Sequence, residues 1–253
     1  MNQPRLLDPD EPSPVEAIGE GRGGPFVVLC DHAGRALPRS LGSLGLSAAE
    51  LESHIAWDIG AAGVARHLAR LLEAPLFLQY YSRLVIDCNR PLSAPDSIPT
   101  RSGGITIPGN QQLTPAQTEE RARAIFGPYH ARISELLARR PRYALISVHS
   151  FTPELYGQRR PFHTGVLYEQ DARLAAPLLA LLRKEPGLIV GDNEPYRASV
   201  ATDYAIIEHG ERRNAPYVEL EVRQDLVADE HGQAEWAERF ARLLRIASAA
   251  FHS

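Results

Sequence analysis

Six short apolar runs, each set off from the next by a longer amphipathic or polar stretch, restrict what this chain can fold into more than any other feature. They are Phe26–Cys30 (FVVLC), Leu76–Tyr81, Tyr143–Val148 (YALISV), Gly165–Tyr168, Leu188–Val190 and Tyr217–Val222 (YVELEV). Runs this short, rich in β-branched and aromatic residues, read as strands covered on both faces. The stretches between them carry helix punctuation. Ser47-Ala-Ala-Glu50 is a capping box that opens a helical region reaching Leu72 in one or two pieces. Thr114-Pro115-Ala116-Gln117 sets a capping residue, a first-turn proline and a reciprocal Gln ahead of a helix that Gly127-Pro128 kinks and Pro141 ends. Asp171–Leu182 and Glu235–Ala250 read as two further amphipathic helices.

Strands alternating with helices predict an α/β fold, a three-layer αβα sandwich around a mixed, mainly parallel sheet. No repeat or linker divides the chain, so residues 25–253 are expected to form one domain, after an irregular lead-in over residues 1–24. The stretch Pro91–Gln112, full of Pro, Ser, Gly and Asn, is long for a loop in a compact domain and is a candidate functional segment.

Composition narrows the class of function. A formal net charge of -4 provides no electrostatic footprint for nucleic acid or an anionic membrane surface. No apolar run has the length of a membrane span, and the N-terminus lacks the basic start and apolar stretch of a signal peptide. Cys30 and Cys88 are too few for a disulfide framework, so a reducing cytoplasm is the expected setting.

In such folds ligands gather at the carboxyl ends of the strands. His32 follows the first run and His149 follows YALISV, so both point toward one crevice if those strands are neighbours. Imidazole is the commonest zinc ligand, and a catalytic zinc takes three protein ligands. Alone, either histidine reads equally as a hydrogen-bonded structural residue. His54 and Asp58, four apart, share a face if helical, although Asp58 also suits the first turn of a helix. Arg83 and Asn89-Arg90, in SRLVIDCNRP, form a candidate clamp for an acidic substrate; a surface arginine paired with Asp87 is the alternative. Glu219, Glu221 and Arg223 share one face of a strand, as a solvated edge or a polar site. His163 and the Asp192–Tyr196 loop are polar and close to predicted strand ends.

Taken together, the segments DHAGRALP, HIAWDIGA, SRLVIDCNRP, IPTRSGGITIPGN, SVHSF, RPFHTGVLYE, GDNEPY and VELEVRQDL resemble the N-formylglutamate amidohydrolase family. They occur in order from about residue 26 to 228. That family is similar to the zinc carboxypeptidase and aspartoacylase group, whose pattern is an early His-x-x-Glu pair, an Asn-Arg pair, a later His and a late Glu. His32, Asn89-Arg90, His149 and Glu221 match that order. The departure is Arg35, which stands where the early Glu belongs, so another carboxylate must complete the metal site, and Asp58 in HIAWDIGA is the candidate.

The resemblance implies one Zn²⁺ held by His32, Asp58 and His149, with Glu221 or its same-face neighbour Glu219 as the proton carrier. It implies that Asn89 and Arg90 grip a substrate carboxylate, helped by Arg83 and His163, and that Arg101 or Arg223 holds a second one. The implied reaction is hydrolysis of a small N-acylated acidic amino acid, N-formyl-L-glutamate first among them. Three rivals stand beside it: another N-acyl amino acid or short peptide on the same fold, a Cys30 or Cys88 nucleophile, and a metal-free scaffold suggested by Arg35.

Overall fold

The computed structural model describes residues 5–249. Seven strands form the central sheet: β1 Val15–Ile18, β2 Phe26–Cys30, β3 Leu76–Gln79, β4 Ala144–Phe151, β5 Thr164–Leu167, β6 Val190–Asp192 and β7 Tyr217–Arg223. Their order across the sheet is β1-β3-β2-β4-β7-β5-β6. The β1–β3 and β7–β5 pairs are antiparallel and the others parallel, so the sheet is mixed and mainly parallel.

Helices cover both faces. Val28, Ile146 and Leu220 pack against α2 (Ala61–Leu71), α5 (Ala175–Leu182) and α7 (Glu230–Ser248). Val27, Leu29, Leu145 and Tyr217, one step out of phase, pack against α4 (Gly127–Ala138) and α6 (Tyr204–His209). Strands buried on both sides need apolar residues at every position, which is why FVVLC is continuous rather than alternating. Val64 and Leu68 of α2 are fully buried, each stabilising the layer by about 1.5–3 kcal/mol.

Both capping boxes form, at the starts of α1 (Ala48–Glu52) and α3 (Pro115–Arg121). Between α3 and α4 the chain widens into a π-helical turn over Ala122–Phe126. Pro128 offers no N–H and its ring crowds the preceding turn, and this wider turn takes up the expected kink. α7 starts five residues earlier than predicted, at Glu230 behind the Asp229 cap; Ala250, its predicted last residue, lies outside the described residues.

Three readings are corrected. Residues 1–24 are not an irregular lead-in throughout, because Val15–Ile18 is an edge strand of the sheet. The run Leu76–Tyr81 is a shorter strand than expected: β3 ends at Gln79, whose side chain bonds the Tyr81 backbone, and residues 82–90, which carry most of SRLVIDCNRP, fold as buried turns. The Pro91–Gln112 stretch is not structureless, for it holds a small hairpin, Arg101–Ser102 with Ile105–Thr106. Among the described residues no helix is long and apolar enough to cross a membrane.

Candidate metal centre

The carboxyl ends of β2 and β4 lie side by side at the middle of the sheet, and three segments converge there. His32 follows β2 by two residues. His149 lies within β4, which runs through His149 and Ser150 to Phe151, so the strand does not stop at the last apolar residue. Asp58 arrives from the loop between α1 and α2, outside any helix; His54 and Asp58 therefore do not share a helical face. That loop is pinned to its neighbours. The Asp58 N–H donates to the His32 carbonyl at 3.0 Å, and the Ser150 hydroxyl donates to the Ile59 carbonyl at 2.8 Å. Gly60, at φ 83°, turns the chain into α2; a Cβ there would stand 2.2 Å from the Val227 carbonyl oxygen, so no other residue fits the turn.

The result is a buried cluster. Asp58 Oδ2 stands 2.9 Å from His149 Nδ1 and 3.3 Å from His32 Nδ1, and the two Nδ1 atoms are 3.2 Å apart. Behind them, His32 Nε2 lies 2.7 Å from Asp87 Oδ1 and His149 Nε2 lies 3.0 Å from Ser147 Oγ. With the ring protons on Nε2, each histidine donates backwards and turns its Nδ1 lone pair toward Asp58. Three acceptors then face one another at hydrogen-bond distance with no donor among them, which suits a cation held between them. The spacing agrees, since ligands about 2.1 Å from a tetrahedral zinc lie about 3.4 Å apart. A buried carboxylate behind a metal-binding histidine is also the usual orienting partner. Among the described residues this is the one group of three or more such side chains placed to hold an ion.

Electrostatics reinforce the geometry. Burial opposes charge on Asp58, but the two imidazoles outweigh it and hold the carboxyl far below its ordinary range. Burial likewise opposes charge on His149, and the Glu219, Asp31 and Asp58 carboxylates override it and raise its proton affinity, so a cation bound at Nδ1 displaces a proton there. Arg83 adds a positive neighbour, 2.7 Å from Asp87 and 3.4 Å from Asp58. Ser147 is held in turn by Asp31 at 3.1 Å.

Strand register brings in the two glutamates. In the parallel β4–β7 ladder Glu219 is paired with Ser147 and Glu221 with His149. Residues two apart share a face, so both carboxyls point to the side where His149 stands. Glu219 accepts from Asn89 Nδ2 at 3.2 Å and lies 3.7 Å from His149 Nε2, and burial pushes its carboxyl up to about 7. Glu221 Oε2 is buried without a hydrogen-bond partner among the described residues, and burial raises that carboxyl further above its ordinary range. Both line the same cavity of about 300 Å³ as the cluster.

The remaining candidates divide. Arg83, Asn89 and Arg90 line the cavity. Both ends of the Asn89 amide are already engaged by the protein, since its Oδ1 accepts from the Ala205 N–H at 3.0 Å and its Nδ2 serves Glu219. Arg90 is held by Asp96 and by the Thr202 carbonyl. Arg101 sits on the hairpin beside an adjoining cleft. His163 and Arg223 do not reach the cavity. His163 Nδ1 accepts from the Ile189 N–H at 2.9 Å, and Arg223 is spent on Asp225 and the Phe162 carbonyl. Arg35 is turned outward, pairing with Glu52 at 3.4 Å with its guanidinium 5.3 Å from the Trp57 ring, so the residue in the early Glu position does not crowd the cluster. Cys30 faces the opposite side of β2, in the core beneath α2, and burial raises the proton affinity of both Cys30 and Cys88, which argues against a thiolate nucleophile.

Sequence reasoning missed Arg197 and passed over Tyr196, which also line the cavity. The loop carrying them lies directly on the sheet. A Cβ at Gly165 or Gly191 would meet the Glu194 carbonyl oxygen at 2.0 or 2.3 Å, so the glycines in HTGVLYE and VGDNEP were the available sign of that close approach.

The family model for N-formylglutamate amidohydrolase matches residues 24–228. A gene product of Agrobacterium tumefaciens of known structure is 36% identical and superimposes with a TM-score of 0.95, over 98% of this chain and 100% of that one. The N-formylglutamate amidohydrolase of Ralstonia eutropha JMP134 is 20% identical, with a TM-score of 0.67 over 95% of this chain and 99% of that one. No curated protein matches the chain.

Proposed function

The chain belongs to the N-formylglutamate amidohydrolase family, whose members are hydrolases of amides, and from that premise we propose a metal-dependent reaction on a small N-acylated acidic amino acid. N-formyl-L-glutamate, split into formate and glutamate, is the substrate we infer. The observation that carries this reading is the His32–Asp58–His149 cluster with the unpartnered Glu221 carboxyl in the same buried cavity.

His32, Asp58 and His149 are the residues that would hold a Zn²⁺ or other divalent ion. Such an ion, when bound, supplies a Lewis acid for the acyl carbonyl and makes water easier to deprotonate near neutral pH. Glu221 takes the proton of the attacking water and delivers it to the departing amine nitrogen. Its proton affinity, raised by burial, suits the delivery half of that task. Glu219, fixed by Asn89 and set against His149, orients the imidazole rather than carrying the proton. Arg197 receives the substrate carboxylates, joined by Arg90 through the Nη2 that its bonds to Asp96 and the Thr202 carbonyl leave open, while Arg83 stays bonded to Asp58 and Asp87 and holds the cluster together. Burial of the cavity floor keeps bulk water from competing for these contacts.

The test is formate release from N-formyl-L-glutamate by the full chain before chelation, after it, and after metal is restored. Release that stops on chelation and returns with metal is the expected result. Release that survives complete removal of metal would contradict the metal dependence. A metal-loaded chain that releases no formate would redirect the substrate assignment to other N-acyl amino acids or short peptides.

A further inference from the structure

The cavity that holds the cluster opens sideways. Asp58, Arg83, Arg90, Ser150 and Tyr196 line it and also line a second cleft of about 330 Å³, so the two spaces meet across those five side chains. The second cleft is walled by two short hairpins that stand apart from the central sheet. One runs from Arg101 to Thr106 and the other from Glu154 to Arg159. A formyl group carries a single hydrogen beyond its carbonyl and has no use for this space. A compact volume of that size is roughly 8 to 9 Å across, which suits an acyl chain of several heavy atoms.

Charge along the cleft pairs off unevenly. Arg83 is bonded to Asp58 and Asp87, and Arg90 to Asp96, so four of the charged groups around the rim neutralise one another in place and Asp58 is shared with the histidines. Arg101 is different. Its Nε–H donates to the Gly104 carbonyl at 3.2 Å, and it makes no ion pair among the described residues. Its two terminal nitrogens are left to bind something else, and a guanidinium binds carboxylates in a planar, two-bonded manner. Tyr156, at the tip of the other hairpin, also lines the cleft and is 84% exposed.

We propose that this cleft is an acyl subsite, and that it takes an acyl group longer than formyl whose far end is a carboxylate held by Arg101. The inference rests on the amidohydrolase reading above and extends its substrate class from N-formyl to N-dicarboxyl acidic amino acids. The amino-acid half stays in the cavity with Arg90 and Arg197, the scissile carbonyl lies at the cluster, and the acyl chain runs between the hairpins.

The experiment measures binding of succinate and butyrate to the full-length, Zn²⁺-loaded chain by calorimetry, for the wild type, Arg101→Ala and Arg101→Lys. The same three proteins are assayed for kcat/KM on N-succinyl-L-glutamate, N-butyryl-L-glutamate and N-formyl-L-glutamate. The two acids are alike in chain length and differ in one carboxylate. The expected result is at least tenfold tighter binding of succinate by the wild type, most of that preference lost in Arg101→Ala and part of it kept in Arg101→Lys, with the ratio of kcat/KM values for the succinyl and butyryl substrates following. A preference of less than twofold in the wild type, or one that Arg101→Ala leaves intact, overturns the subsite. Formate release with no succinate preference overturns the subsite and keeps the reaction. A succinate preference that needs Arg101, in a chain that hydrolyses none of the three amides, supports the subsite and overturns the reading of the reaction.

Discussion

Two pairs of buried histidines in this chain share nearly the same spacing and have opposite surroundings. His32 and His149 bring their Nδ1 atoms within 3.2 Å, and His130 Nδ1 lies 3.0 Å from His209 Nε2. The first pair stands among Asp31, Asp58, Asp87 and Glu219. The second lies against the Phe126 and Tyr204 rings, with the Cys88 carbonyl 2.9 Å from His130 Nε2 and, among the described residues, no carboxylate bonded to either ring. Burial acts on His149, His130 and His209 in the same direction. At the second pair burial outweighs the distant Asp31 and Glu208 carboxylates and lowers His130 to about 4 and His209 to about 3, so that pair is neutral; at the first, carboxylates in contact with the ring outweigh burial, and the proton affinity of His149 rises. The difference teaches that proximity of two imidazoles does not make a cation site. The acids placed around them do.

The largest effect should come from breaking the first pair. His149→Ala is expected to lower kcat/KM for N-formyl-L-glutamate by about three orders of magnitude or more while the chain stays folded. His209→Gln should leave it within about threefold, because neither His130 nor His209 lines the cavity. Equal losses in both variants, measured beside circular dichroism, would erase the distinction. Glu221→Gln comes next, with kcat lower by about two to three orders of magnitude and metal content unchanged. A variant that lost the ion as well would show that Glu221 serves as a ligand.

A smaller effect sharpens the comparison from the other side. The folded chain keeps His130 and His209 neutral down to about pH 4 and 3, whereas their ordinary value is 6.5. Between those limits the unfolded chain binds more protons, so stability is complete above about pH 6.5 and declines as the pH falls toward 4 and then 3. At about 1.4 kcal/mol for each pH unit of displacement, the loss should reach several kcal/mol by pH 3. Denaturation midpoints taken across this window should fall less steeply for His209→Gln than for the wild type; parallel curves would show that the pair does not titrate in that range. Smallest of all is Arg35→Ala. Its guanidinium is half exposed and far from the cluster, so stability should change by less than about 0.5 kcal/mol, with metal content and turnover unaltered.

The sheet was legible because its strands are buried on both faces and therefore read as uninterrupted apolar runs. Where polarity entered a strand, the reading stopped short. Tyr143–Val148 continues through His149, Ser150 and Phe151, and the polar residues that end the apolar run are the ones the fold uses. Val15–Ile18 was lost in a polar lead-in because an edge strand of four residues, with Glu16 reaching solvent to pair with Arg66, carries too little pattern to declare itself. At the site, His149 was legible as the residue that follows an apolar run, and strand periodicity put Glu219 and Glu221 on one face. Asp58 was reached only through the family resemblance and the carboxylate it calls for: it comes from a loop whose path is set by hydrogen bonds to His32 and Ser150, which the sequence does not show. Arg197 is equally silent in the sequence, since its place depends on a loop lying flat against two glycines. Arg223 shows the converse error. Periodicity put it on the correct face, but a near neighbour, Asp225, claims its guanidinium at 2.7 Å.

The account stands on the claim that His32, Asp58 and His149 bind a metal ion together. Elemental analysis of the full-length wild type beside Asp58→Ala, after equilibration with Zn²⁺ and removal of the excess, tests it most directly. The account predicts about one ion per chain in the wild type and loss of most of it in the variant, with unchanged circular dichroism. A folded wild type that retains no metal, or a variant that keeps its full complement, would contradict it.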